Sequence, residues 1–386
     1  MVGLALLLDH DAAIVTAIAL GGLASIVSAL TMPSLVLLTA REQMDRLSLH
    51  RLIGAVLSSA MTLAVLLAGG GVVALLAGSL LTGVVMWRVA RVLAGDPGRA
   101  PATTTGAGFA LLRRALPFGL LMAGFALYYR IDMLMLEWLA VPGELGRYAA
   151  AYRFLDAVIV LAASLGGPLF PRLSSVAISA PTEARRVLEA GWRPLLALGL
   201  PLTLGTIAVA DGIVTLLFGP AFAGAAPLLR VLMLGTLPLF WVNVANHALI
   251  AGDRVWPLVR VYTLSALVNV AGNAVLVPRW GATGAAVATV VCEWLNLALV
   301  VRLLRDAFGL KLSAVGLWRY AAAAAVMLAA VKLVQPLGVV AAVAIAAAAY
   351  AGALWALGYT RSTDHRALKR LLFERAPVGQ RSARGA

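Results

Sequence analysis

The sequence is short of nearly everything that a soluble catalyst or a disulfide-bonded domain relies on. Cys292 is the only cysteine in 386 residues, which excludes a disulfide framework and a thiolate metal centre. The four histidines, His10, His50, His247 and His365, are widely separated. No H-E-x-x-H, P-loop or dinucleotide fingerprint occurs, so no metal, no cofactor and no catalytic group is expected. Charged residues make up only 12%, about half the share in soluble domains. Alternating apolar and polar strand patterns are missing, which argues against an outer-membrane barrel. Long polar insertions are missing too, and with them the large outer loop usual in polymerases and ligases of surface polysaccharides. The first residues, MVGLALLLDHD, are too short and uncharged for a signal peptide.

What is present is apolar. Hydrophobic residues account for 62% of the chain and mean hydropathy is +0.94, far outside the soluble class. Roughly 20 residues cross the hydrocarbon core as a helix. Apolar runs of that size cover 12–38, 52–68, 72–94, 115–138, 147–170, 194–218, 227–250, 257–277, 282–304, 318–335 and 338–359. The expected fold is therefore all-α: a polytopic membrane helix bundle with about eleven transmembrane helices. Pro33, Pro201 and Pro238 are acceptable inside such spans, where neighbouring helices re-satisfy the freed backbone. Abundant Gly and Ala allow close helix approach.

The net charge of +14 would suit nucleic acid if it were clustered, but its distribution points to loop arginines and no nucleic-acid partner. Alternate connections carry Arg41, Arg46 and Arg51; Arg88, Arg91, Arg99, Arg113 and Arg114; Arg172, Arg185, Arg186 and Arg193; Arg254 and Arg260; Arg302, Arg305, Lys311 and Arg319; and seven basic residues of the tail 360–386. The opposite connections hold only Arg147, Arg279 and Lys332. By the positive-inside rule the N-terminus is outside and the tail cytoplasmic. In that tail, RSTDHRALKRLLFER spaces Leu368, Leu371 and Leu372 among basic residues. That pattern fits a helix lying on an anionic leaflet or a plain charged anchor.

Residues 12–94 and 227–305 share a plan of helix, basic turn, helix, glycine turn and a third helix ending on R-x-x-R, Arg88/Arg91 and Arg302/Arg305. The plan reads as a parallel duplication; any two helix triplets that obey the positive-inside rule would also look alike. Three helices precede the second copy and almost nothing precedes the first. Equivalent halves would thus leave three N-terminal helices unaccounted for. The expected organisation is a partial N-lobe at 1–94, a cytoplasmic linker at 95–114, a six-helix C-lobe at 115–305, an additional helix pair at 306–359 and a basic tail at 360–386.

Ionisable residues inside spans are the strongest functional signal, each costing at least ~2.5–3.5 kcal/mol at mid-bilayer unless paired or hydrated. YYRID brings Tyr128, Arg130 and Asp132 onto one helix; YRFLD brings Tyr152, Arg153 and Asp156 onto the next. At 1.5 Å per residue, Arg130 and Arg153 lie about 12 Å and about 9 Å from the outer ends of their helices. Arg153 and Asp156, three apart, can meet on one face, whereas Arg130 and Asp132, two apart, cannot. Either the four form a polar cavity suited to a phosphate-bearing ligand, or they are ion pairs that fix helix packing. Glu293 and Asn296, three apart, are weaker candidates for the same pathway. Asn243 with Asn246, and Asn269 with Asn273, have the spacing of inter-helix hydrogen-bonding groups.

LPFGLLMAGFALYYRIDMLMLEWLAVPGELGRYAAAYRFLD resembles the seventh and eighth helices of bacterial polysaccharide flippases of the multidrug/oligosaccharidyl-lipid/polysaccharide superfamily. ADGIVTLLFGPAFAGAAPLLRVLMLG is similar to their ninth and tenth, VNVAGNAVLVPRWGATGAAVATVVCEWLNL to the eleventh and twelfth, and SALTMPSLVLLTAREQMDRLSLHRLIGAVL to the fourth and fifth. The resemblance covers nearly the whole chain. It implies a two-lobed fold, here with an incomplete N-lobe lacking the first three helices. It also implies alternating-access transfer of an undecaprenyl-diphosphate-linked oligosaccharide across the cytoplasmic (inner) membrane for surface polysaccharide (lipopolysaccharide or exopolysaccharide) synthesis. Membrane lipids, a polysaccharide polymerase and a chain-length regulator are the partners that go with this role. An ion-coupled multidrug exporter of the same fold, and a truncated non-transporting remnant, remain open beside it.

Overall fold

A computed structural model describes residues 12–41, 43–95, 105–141, 143–166 and 170–359. The tail 360–386, residues 1–8 and Arg99 in the linker lie outside the described residues, and so do the expectations placed on them. The described part is helical throughout, and the chain divides into two compact units, Met1–Phe109 and Ala110–Ala386.

The first unit contains α1 (Ala12–Ala40), α2 (Met44–Leu67) and α3 (Val72–Ala94). Both α1 and α2 pack chiefly on α3. Arg41, just after α1, and Arg46, in the first turn of α2, close the end of α3: Arg41 Nη1 donates to Ala94 O and Arg46 Nη1 to Leu93 O, both at 2.9 Å. A cation at a helix C-terminus satisfies orphan carbonyls and complements the dipole. Along these helices the apolar side chains Leu30, Val36, Leu52, Val56, Leu63 and Leu67 stay exposed, as lipid-facing residues do.

The second unit is built from α4 (Thr105–Tyr128) from Ala110 onward, α5 (Ile131–Leu139), α6 (Glu144–Gly166), α7 (Phe170–Val176), α8 (Pro181–Ala208), α9 (Ala210–Phe218), α10 (Ala225–Met233), α11 (Thr236–Ala251), α12 (Val255–Phe308), α13 (Leu317–Val334) and α14 (Val339–Ala356). Residues from α4 through α12 share one apolar core. The pair α13 and α14 forms a second core against α8 and α9, and Tyr350 Oη donates to Ala197 O at 3.0 Å.

At 54 residues, α12 would be about 80 Å long if straight, yet Ser265 Oγ donates to Asn296 Oδ1 at 3.0 Å. A Cβ on Gly272 would lie 3.4 Å from that of Ala288. Residues equidistant from position 281 therefore touch, and α12 is a hairpin of two antiparallel arms, 255–280 and 282–308. The fold-back needs Gly281, whose φ of 54° is the region that favours glycine. Any Cβ there would also strike the Glu144 carboxylate.

Among the described residues, eight helical stretches are long and apolar enough to cross a membrane. A ninth is the pair α10 and α11, bent by 45°. The expectation of eleven counts the two arms of α12 separately and includes α6, which Glu144, Arg147, Arg153 and Asp156 keep out of a purely apolar count. The runs expected at 115–138 and 194–218 lie within single spans, 109–139 and 181–218, with short helix interruptions at Tyr129–Arg130 and Val209, while 227–250 is bent at Leu234–Gly235.

Candidate functional site: a polar seam beside two broken helices

The break after Tyr128 takes Arg130 out of regular helix (φ −131°, ψ −10°) and turns its side chain toward α6. There Arg130 Nη2 donates to Asp156 Oδ1 at 3.3 Å, with its guanidinium 5.7 Å from the centre of the Tyr152 ring. Half of the Arg130 side chain and a third of the Asp156 side chain remain exposed. Tyr152 itself is buried and donates to Tyr129 O at 3.1 Å, which ties α6 to the break.

The pairing of Arg153 with Asp156, expected from their spacing, does not form. Asp156 is taken by Arg130, because the break lets that side chain cross to α6, while Arg153 is exposed and has no ion pair among the described residues. Asp132, in the first turn of the rebuilt helix α5, behaves differently again. It is buried at 1% exposure and accepts from Tyr148 Oη (2.5 Å), Thr289 Oγ1 (3.2 Å) and its neighbour Met133 N (2.8 Å). Sequence reasoning passed over Tyr148 and Thr289. The signal was there: Tyr148 shares a helical face with Tyr152, and Thr289, Glu293 and Asn296 fall at i, i+4 and i+7.

Along the second arm of α12, Glu293 and Asn296 are both fully buried but do not bond to each other. Asn296 Oδ1 accepts from Ser265, while its Nδ2 has no partner. The Glu293 carboxyl faces the buried hydroxyl of Tyr128, at a geometry short of a direct hydrogen bond. Asn273 Nδ2 donates to Asn269 Oδ1 at 2.8 Å, and Asn246 Nδ2 to Tyr262 Oη at 2.7 Å. Asn246 thus joins α11 to α12 as expected, whereas Asn269 and Asn273 bond within one arm and Asn243 Oδ1 has no partner. Arg230 pairs with Asp211. Glu144, another residue passed over, accepts from Ala282 N at 2.7 Å through Oε2 and holds the hairpin tip against α6.

No group of three or more His, Cys, Asp or Glu side chains that could hold a metal occurs among the described residues. The seam offers guanidinium, carboxyl, phenol and amide groups at the level of two helix breaks.

The family described as lipid II flippase MurJ matches residues 35–358. A solved structure of lipid II flippase MurJ in an inward closed conformation is similar over 86% of this chain and 71% of its own, with a TM-score of 0.72 at 14% identity. The probable flippase AglR of Haloferax volcanii is 27% identical over 187 residues. That match takes in 47% of this chain and 38% of the relative, so it spans about two fifths of the relative's length.

Proposed function

Because the chain belongs to the lipid II flippase MurJ family, a family of multi-pass membrane transporters and not of enzymes, we propose that it carries an undecaprenyl-diphosphate-linked oligosaccharide. The direction is from the cytoplasmic to the outer leaflet, by alternating access. The observation that supports this cargo over others is the charge at the break in the span α4–α5. By sequence, two arginines face two aspartates. In the fold Asp132 is withdrawn into a buried site with three donors of its own, which leaves Arg130 and Arg153 exposed against Asp156 alone. An excess cation inside a membrane span is expensive, and a diphosphate is the ligand that two guanidinium groups meet with bidentate hydrogen bonds. Tyr152, beneath Arg130, gives the guanidinium a fixed platform.

The reading carries an orientation. The base of the α12 hairpin holds Arg254, Arg260, Arg302 and Arg305 and its tip only Arg279, which favours a cytoplasmic base and tail. We read 115–305 as one lobe, 306–359 as an added helix pair, and a polymerase and chain-length regulator as the partners that take the product. Since Cys292 is the only cysteine and is buried, cysteines introduced at Arg279 and Arg305 report sidedness directly. An impermeant thiol reagent should label the first and spare the second in intact cells.

The decisive measurement is the lipid-linked intermediate that builds up in a deletion strain. A surface-polysaccharide intermediate supports the reading, accumulation of lipid II moves the cargo to the cell-wall precursor, and drug sensitivity without either favours the exporter. Arg153→Ala, expressed at wild-type level, should abolish the rescue; full rescue would remove Arg153 from the pathway.

A further inference from the structure

A crevice of about 180 Å³ runs between α8, α11 and the second arm of α12. Trp192, Pro238, Trp241, Trp294 and Val301 line it, and Leu312 from the segment after α12 completes the lining. None of the seam's ionisable groups reaches it. It opens on the outside of the second unit, where Trp294 is 48% exposed. Walls made of indole and aliphatic groups suit a hydrocarbon chain, and the volume takes only a stretch of one.

One polar atom stands out in this lining. The Trp241 indole is buried, at 8% exposure, and its Nε1–H has no hydrogen-bond partner among the described residues. Trp294, also on the crevice, donates its own N–H to Leu234 O at 3.1 Å. A buried N–H without an acceptor carries its full desolvation penalty, so the crevice calls for a ligand that brings a carbonyl.

The register of α8 against α11 sets the depth of that N–H. Thr203 Oγ1 lies 2.5 Å from Thr236 Oγ1, and a Cβ on Gly199 would meet Leu237 and Phe240. Continued along the antiparallel pair, this places Trp241 opposite residues 195–198, about 5 Å or one helical turn from Arg193. Arg193 belongs to a basic rim. Its guanidinium lies 5.9 Å from the centre of the Trp192 ring. The exposed Arg302 follows Val301, Arg305 is one turn further along that arm, and Lys311 precedes Leu312. The acids near this rim are Glu189 and Asp306, and Glu189 is engaged by Arg185 at 3.7 Å and by Lys311 N at 2.8 Å. Trp256 and Trp318, at the starts of α12 and α13, are exposed, as in the aromatic belt of a membrane interface.

We propose that the crevice binds one ester-linked anionic glycerophospholipid. An acyl chain lies along Trp294 and Val301, its ester carbonyl accepts from Trp241 Nε1, and its phosphate meets Arg193 and Arg302. The ester separates this occupant from a polyprenyl diphosphate, which has no carbonyl between chain and phosphate. Assignment to the cytoplasmic leaflet rests on the orientation proposed above; the site does not rest on the cargo.

The test uses the full chain purified in detergent, with retained lipid counted by native mass spectrometry. The probes are dioleoyl phosphatidylglycerol, its dialkyl ether analogue and dioleoyl phosphatidylcholine. The wild type should retain the ester phosphatidylglycerol about fivefold better than the ether form, the effect of one hydrogen bond, and better than phosphatidylcholine. Trp241→Phe should remove the ester preference, and Arg193→Gln with Arg302→Gln the headgroup preference. Leu297→Trp, which fills the crevice from its α12 wall, should remove retention. Equal retention of ester and ether forms by the wild type overturns the proposal, and so does unaltered retention by Leu297→Trp. Displacement of the phospholipid by polyprenyl diphosphate in the wild type would give the crevice to the cargo and overturn it as well. The ester–ether comparison needs no variant, so it stands if Trp241→Phe fails to fold. Arg153→Ala should retain phosphatidylglycerol as the wild type does, which lets this site and the cargo reading fail separately.

Discussion

Asp132 and Glu293 are two buried acids that look onto the same face of one helix, and the fold treats them in opposite ways. Asp132 receives a phenol, a hydroxyl and a backbone N–H, whereas Glu293 faces only the Tyr128 hydroxyl, short of a direct hydrogen bond. A buried acid with all its donors in place is part of the architecture, because breaking it up orphans several groups at once. A buried acid with none is a cost that the native arrangement carries without return. The contrast separates a residue that holds α5, α6 and α12 together from one whose carboxyl bonds directly to none of them.

Substitutions on the two acids should therefore differ sharply in stability, read as unfolding of the purified protein in detergent. Asp132→Ala leaves Tyr148 and Thr289 without their acceptor and should cost the most, about 3 kcal/mol. An unchanged melt would place Asp132 outside the architecture. Tyr148→Phe removes one donor to the carboxyl and should cost about 2 kcal/mol, and Thr289→Val, with a longer bond, about 1 kcal/mol. Arg130→Ala breaks a half-exposed ion pair worth about 0.5 kcal/mol while abolishing glycan export, a split that a purely structural pair would not show. Glu293→Gln should sit at the bottom, within about 0.5 kcal/mol of wild type. A loss as large as that of Asp132→Ala would erase the distinction between the two acids.

The same contrast shows what spacing along the chain was able to reveal. Arg130 and Asp132 cannot pair at a separation of two, and they do not. Arg153 and Asp156 can pair at a separation of three, yet Asp156 belongs to Arg130. Spacing rules describe an unbroken helix; the interruption at Tyr129–Arg130 gave one arginine a reach that no rule of helical faces contains. Glu144 was passed over for a related reason, since its partner Ala282 N is 138 residues away.

Residue order by itself settles that this is a multi-pass helical membrane protein. Twenty-residue apolar runs in a chain with so few charges have only the bilayer to bury in, and a helix is the only way for each run to satisfy its own backbone there. The resemblance of four segments already pointed to a flippase superfamily, which the match to the lipid II flippase MurJ family narrows. Where the helices are interrupted, which aspartate is sealed and which is shared, and that Glu293 lies against the bend at Gly235 were decided by the packed fold alone. Those outcomes depend on which helices become neighbours, and in a bundle whose spans are all apolar the pattern of each helix says little about its partner.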